Sequence, residues 1–248
     1  MEDKQYYLYG IHPVMDALRS GRQFTKILVK KGLEPGRLQE LSALAAEHGA
    51  PLQQVPLQKL DAVVRGAHQG VIGYLAQIDY VPFEEMVESA LSRKAAPIFV
   101  VLDGVSDIRN LGAIARSAEC AGIDGIVIPA KGGAAINADA VKASAGALLR
   151  IPVARVANLR TALYYFRDSE FQIVAASEKA EDMMYDVNLR RASAVVMGSE
   201  GSGISAPVLS LCTVGAKIPM TGETGSLNVS VAAAVILYEA VRQRIQKQ

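Results

Sequence analysis

Five polar side chains in three stretches of this chain have the types needed to handle an oxygen nucleophile beside an anion. Asn110 and Arg116 lie in Leu102-Asp-Gly-Val-Ser-Asp-Ile-Arg-Asn110-Leu-Gly-Ala-Ile-Ala-Arg116, and Glu200 lies in Met197-Gly198-Ser-Glu200-Gly201-Ser-Gly203. Ser226 and Asn228 lie in Ile218-Pro-Met220-Thr-Gly-Glu-Thr-Gly-Ser226-Leu227-Asn228-Val-Ser230. An arginine presents a planar fork to a phosphate, a carboxylate accepts a proton, and amides and hydroxyls orient what lies between them. Each residue also has a simpler use. Asn110, Ser226 and Asn228 are ordinary cap or turn residues, Arg116 suits a solvated helix face, and three glycines after a strand suit a turn. The third stretch holds more polar groups than one helix start requires, and it runs directly into an apolar helix, where main-chain N–H groups face a ligand. The helix expected after Asn110 would carry Arg116 on roughly the same side.

Other chemistries are disfavoured. The three histidines, His12, His48 and His68, all fall in the first third of the chain, away from these stretches. Cys120 and Cys212 show no ligand spacing, so neither a zinc site nor a disulfide framework is expected. There is no Walker lysine and no GxGxxG, which argues against a dinucleotide cofactor despite a strand-loop-helix setting at Leu102 to Arg116. Lys and Arg number 26 against 25 Asp and Glu, so no global basic field announces a nucleic acid. The amino-terminal residues show no secretory pattern, and no apolar run approaches the ~18 residues of a spanning helix. A cytoplasmic protein without a membrane partner is the expectation.

The elements that must position these residues alternate in type. Strand patterns at Tyr6–Tyr9, Lys26–Val29 and Val71–Ile78 and helical ones at His12–Arg19 and Arg37–His48 describe a small α/β unit over residues 1–77. An acidic, proline-bearing stretch at 78–96 reads as a linker with room for one short helix. From 97 to 248, strands are expected at Ile98–Leu102, Gly125–Ile128, Ile151–Val156, Gln172–Ala176, Ala194–Met197 and Thr213–Lys217. Helices are expected at Leu111–Ala121, Ala138–Leu148, Leu159–Arg167 and Asn228–Arg244. Apolar strands separated by helices imply a mostly parallel sheet covered on both faces, with ligands at the strands' carboxyl ends. The terminal helix is apolar on more than one face, which suits either a core or a second subunit.

In this order, the three stretches resemble the SpoU (TrmH-like) group of SPOUT-class RNA ribose 2′-O-methyltransferases. Tyr9-Gly-Ile-His12-Pro-Val and His68-Gln-Gly70 extend the likeness to the bacterial 23S rRNA guanosine 2′-O-methyltransferases. The resemblance implies a carboxyl-terminal SPOUT domain with a deep trefoil knot and a small domain like ribosomal protein L30e that grips RNA. It also implies S-adenosylmethionine as methyl donor, no metal, and a homodimer acting on 23S rRNA, the alternatives being tRNA or another rRNA site as substrate, or a non-catalytic RNA-binding protein of the same fold. Gly198, Ile218, Met220, Ser226 and Leu227 would hold the donor, and Asn110, Arg116, Glu200, Ser226 and Asn228 match catalytic positions. The family's base is assigned to the counterpart of Arg116; a guanidinium with pKa above ~12 suits a phosphate clamp better. In the first domain, Lys26, Lys30, Lys31, Arg37 and Arg65 are the expected phosphate contacts.

Overall fold

Alternation along a strand sends successive side chains to opposite faces, and in the first unit both faces are covered. The computed structural model describes residues 7–64, 66–75 and 78–245, and the chain divides into two compact units, Met1–Asp79 with Ile136–Ala138 and Tyr80–Ala135 with Asp139–Gln248. The first unit runs β1 (Tyr7–Tyr9), α1 (Ile11–Arg19), β2 (Phe24–Lys30), α2 (Pro35–Glu47), β3 (Leu52–Val55), α3 (Leu57–Asp61) and β4 (Val71–Leu75). Its sheet has the order β1-β4-β2-β3, with β4 antiparallel to both neighbours and β3 parallel to β2. Ile27 and Val29 pack with Val14 and Leu18 of α1 and Leu41 of α2, while Leu28 packs with Ile72, Val55 and Leu60 of α3. This two-sided burial makes β2 read as an apolar run. Neither β3 nor α3 was expected from periodicity, because β3 carries two exposed glutamines, Gln53 and Gln54, and α3 is five residues long.

The His68-Gln69-Gly70 segment builds the turn into β4. Buried His68 accepts the Gly70 N–H on Nδ1 at 2.9 Å, so its Nε2 carries the proton and donates to Asp61 at 2.9 Å. Gln69 turns its Oε1 to the Ile11 N–H at 3.4 Å, at the start of α1. A Cβ on Gly70 would lie 2.6 Å from the Lys30 stem. The segment thus ties α1, α3 and β2 together.

The second unit contains α4 (Phe83–Arg93), β5 (Ile98–Leu102), α5 (Ile108–Cys120), β6 (Gly125–Pro129), α6 (Ala138–Ala143), β7 (Val153–Val156) and α7 (Leu159–Asp168). It continues with β8 (Gln172–Ala176), β9 (Ser193–Met197), α8 (Ala206–Leu209), β10 (Val214–Ala216) and α9 (Val229–Arg244). All strands are parallel, in the order β10-β8-β9-β5-β6-β7. Central strands β5 and β9 are buried at every position, as a sheet covered on both faces requires. One core joins α4 and α7 to the sheet, with the rings of Phe83, Phe99 and Phe171 centred 5.1, 5.2 and 5.0 Å from that of Phe166. Helices α5 and α9 pack on each other.

The stretch 78–96, read as a linker with room for one short helix, carries α4, which buries Phe83, Met86, Val87 and Ala90 in the second unit's core. Its charged residues are the solvent side of an amphipathic helix, which composition alone reads as a tether. The single helix expected over Ala138–Leu148 is broken after Ala143, with Ala145 and Gly146 at φ of 50° and 80° and a 3-10 turn at Ala147–Leu149. The bend lies against α5, where a Cβ on Gly112 would sit 2.5 Å from the Ala143 Cβ. Among the described residues no helix is long and apolar enough to cross a membrane.

Candidate active site

Strands β5, β9, β8 and β10 end in loops at the same edge of the parallel sheet, and the chain's direction of winding reverses between β5 and β9. Crevices open at such reversals. In the β5 loop, Asp107 accepts the N–H groups of Arg109 and Asn110 at 2.6 and 3.4 Å, so it is the N-cap of α5 and leaves the Asn110 side chain to other partners. Asp103 accepts the Ser205 N–H at 2.7 Å, binding the β5 loop to the β9 loop.

The β9 loop closes on itself. Ser199 and Gly203 exchange main-chain hydrogen bonds of 3.0 and 2.9 Å, and the Ser199 and Ser202 hydroxyls meet at 2.7 Å. A Cβ on Gly198 would lie 2.1 Å from the Gly203 carbonyl carbon, so the loop itself demands glycine there. Of Gly198, Gly201 and Gly203, only Gly203 takes a positive φ, at 67°.

Asn228 does two things at once. Its Oδ1 caps α9, accepting the Ser230 N–H at 2.9 Å and the Ser230 hydroxyl at 2.6 Å. Its Nδ2 donates to Asn110 Oδ1 at 3.0 Å and to Glu200 Oε1. One amide therefore starts a helix and joins the β5, β9 and β10 loops. Ser226 and Leu227, just before it, line a cleft of about 380 Å³ with Ile218, Met220, Ala232 and Ile236. The cleft shares Ser177, Glu178 and Ser226 with a more polar one of about 1090 Å³, bordered by Gly198 through Ile204. Gly198, Ile218, Met220, Ser226 and Leu227 thus all face this connected space. Ser177 and Glu178 were missed; their only signal is their place just after an apolar strand.

Arg116 is not part of the cluster. It is exposed on α5, and its guanidinium makes no ion pair or hydrogen bond among the described residues. At 3.6 residues per turn, six residues place it about 120° around the helix from Asn110 and about 9 Å further along, so the expected shared side is corrected. Half-buried Cys212 feels the charge of Asp103; burial, and then that charge, push its thiol up to about 12, which keeps it protonated. On the first unit, Lys26 is exposed with Nζ 4.3 Å from the Tyr74 ring centre, Lys30 is half-buried, and Lys31 is exposed. Arg37 pairs with Glu34 at 3.5 Å. Arg65, like Tyr6, Ala76 and Gln77, lies outside the described residues. Among the described residues no group of three or more His, Cys, Asp or Glu is placed to hold a metal.

Comparison with known proteins fits this geometry to a family. Residues 97–238 match the SpoU rRNA Methylase family, and residues 7–81 match the family described as RNA 2′-O ribose methyltransferase substrate binding. A protein of Bacillus subtilis (strain 168), named as a TrmH family tRNA/rRNA methyltransferase, is 35% identical over 244 residues, covering 98% of each chain. One of the same family name in Staphylococcus haemolyticus (strain JCSC1435) is 35% identical over 246 residues, 99% of this chain and 98% of its own. A solved RNA 2′-O ribose methyltransferase is 27% identical with a TM-score of 0.57, covering 98% of this chain and 91% of that one. The SpoU methyltransferase AviRb of Streptomyces viridochromogenes, in complex with AdoMet, shares the fold at 22% identity and a TM-score of 0.63, over 98% of this chain and 91% of its own. The chain belongs to the SpoU rRNA methylase family of RNA methyltransferases.

Proposed function

We propose that this protein transfers a methyl group from S-adenosylmethionine to the ribose 2′-hydroxyl of a guanosine in 23S rRNA, in the P loop of the peptidyl-transferase region. The observation that carries the chemistry is the Asn228 amide holding Asn110 and Glu200 together beside the cleft. The cleft suits the donor. Its apolar part, between Ile218, Met220, Leu227 and Ile236, accepts a purine ring, and its polar part offers main-chain groups and the Ser226 hydroxyl. S-adenosylmethionine, when bound, supplies a methyl carbon already activated by its sulfonium. The protein's residues then have to align the 2′-oxygen and receive its proton.

Asn110, Ser226 and Asn228 orient the ribose, and the Glu200 carboxylate takes the proton as the new oxygen–carbon bond forms. Arg116 stays charged and grips a flanking phosphate, its positive charge also steadying the developing alkoxide. Its place about 9 Å along α5 from Asn110 and its lack of partners among the described residues support a clamp over a base. A homodimer in the cytoplasm is part of this reading, supported by the apolar side chains left exposed on Leu149, Val231 and Tyr238. So is the trefoil knot, which the likeness to the SpoU family implies. Substrate tRNA is the second reading, because the relatives are named for both RNAs.

Ribose-methylation mapping of rRNA and tRNA, in cells with and without the protein, tests it. The expected result is loss of one guanosine mark in 23S rRNA, restored by the wild type and not by Arg116→Ala. Loss of a tRNA mark with all 23S marks intact overturns the substrate. Full restoration by Arg116→Ala overturns the site.

A further inference from the structure

The sheet of the first unit carries an aromatic row on one face. Tyr7 and Tyr9 are two residues apart on edge strand β1 and point to the same face. Tyr7 is the cross-strand partner of Tyr74 on β4, and Tyr74 is the partner of Lys26 on β2. The Tyr7 ring centre is 6.4 Å from that of Tyr9 and 6.1 Å from that of Tyr74, and the Lys26 ammonium stands 4.3 Å from the Tyr74 ring centre. The rings are tilted at 48° and 57° to one another, so they do not cover each other's faces. Tyr9 is 47% exposed, while Tyr7 and Tyr74 rest partly on the core formed with α3. Burial, with Tyr7 adding to it, holds the Tyr74 phenol above its ordinary value, so the ring remains neutral beside anions.

Charge selects the occupant. Strands β1, β2 and β4 carry Lys26 and Lys30 and no acidic residue. One exposed and two half-buried rings in a row, with an ammonium over the last, match unpaired nucleotides, whose bases offer a π-face whatever the sequence and whose phosphates take the cation. A double helix instead presents phosphates and 2′-hydroxyls across its minor groove and leaves such rings without work. We propose that Tyr9, Tyr7 and Tyr74 form a stacking platform for unpaired bases of the RNA substrate, with Lys26 on the adjoining phosphate. The platform rests on the reading of the protein as an RNA methyltransferase and adds that the RNA is gripped through a single-stranded segment.

The test uses the full-length protein and fluorescence anisotropy, with a fluorescein-labelled mixed-sequence single-stranded RNA and a blunt RNA duplex as probes. The single strand is expected to bind more tightly. Replacing all three rings by leucine (Tyr7→Leu, Tyr9→Leu, Tyr74→Leu) fills the same space without a π-face and should weaken single-strand binding about tenfold or more. The corresponding three phenylalanine replacements should keep it, and S-adenosylmethionine affinity should be unchanged in both. Lys26→Gln should lower the slope of log affinity against log salt by about 0.7. If the leucine triple does not bind S-adenosylmethionine, the exposed Tyr9→Leu single replacement carries the test, with a smaller loss in the same direction. Wild-type single-strand affinity in the leucine variants overturns the platform. Equal loss in the phenylalanine triple overturns it too, since hydroxyl bonding then replaces stacking. So does a change of oligomeric state in sedimentation without a change in RNA affinity, which would make the face a contact between copies. Methyl transfer separates the two claims. A wild type that methylates no cellular RNA sinks the function, whereas methylation with normal single-strand binding in the leucine triple sinks the platform alone.

Discussion

Asn228 shows why one residue can look like a cap and like a site residue, because it is both. Its oxygen satisfies a helix N–H and its nitrogen joins Asn110 to Glu200. The two duties separate by substitution. Asn228→Asp keeps an equally good cap acceptor but replaces the donor with a second carboxylate against Glu200, which repels it. We expect the melting temperature to change little and methyl incorporation to fall about 100-fold, the scale of losing one oriented polar group in a site. A variant that melts much earlier yet keeps its turnover would mean that the cluster only shapes the loop. Gly198 gives the complementary lesson. A glycine-rich loop after a strand suggests room for a ligand, yet this glycine is required by the loop's own closure against Gly203.

Helix α9 carries that cap at one end and is held at the other. Glu239, buried, accepts both Arg242 hydrogen bonds, at 2.7 and 2.8 Å, and one from Gln243 at 2.8 Å. Arg244 donates to the carbonyls of Ala96, Leu189 and Arg191 at 2.6, 2.9 and 2.7 Å. The Arg242 hydrogen bonds hold the Glu239 carboxyl below its ordinary value. A depressed carboxylate contributes stability that is fully present above its unfolded pKa and is lost as pH falls through the folded one. Thermal melts from pH 7 down to pH 3 should therefore show a steeper acid decline in the wild type than in Glu239→Gln; parallel curves would remove the role. The sequence shows such elements unevenly. Ile98–Leu102 and Gln172–Ala176 are observed with the bounds read from their apolar runs, since a central parallel strand has no polar side to blur the pattern. Helix α8, four residues long, has no periodicity to read, and the break after α6 depends on Gly112 of a different helix. The site was legible as three stretches and, through resemblance, as one set. What joins them is a side-chain contact between Asn228 and Asn110, 118 residues apart in sequence, and local pattern holds no record of it.

At the scale of the whole molecule, the exposed apolar side chains of the second unit mark where a second copy would sit in the proposed dimer. Leu149 is 62% exposed, Tyr238 49% and Val231 47%. Tyr238→Lys places a charge on the exposed side of α9 without touching a core, and sedimentation at micromolar concentration should shift from dimer to monomer. A wild type that sediments as a monomer would retire the dimer. Among the described residues, Phe83 through Val208 belong to one apolar cluster and Ile11 through Val71 to another, with no residue in common. Effects at distant positions with no shared partner tend to add. Selection can therefore retune which RNA is held without revising the methyl-transfer cleft, and can repair a loss of stability in one half without disturbing the other. Separate interiors let this chain diversify by halves.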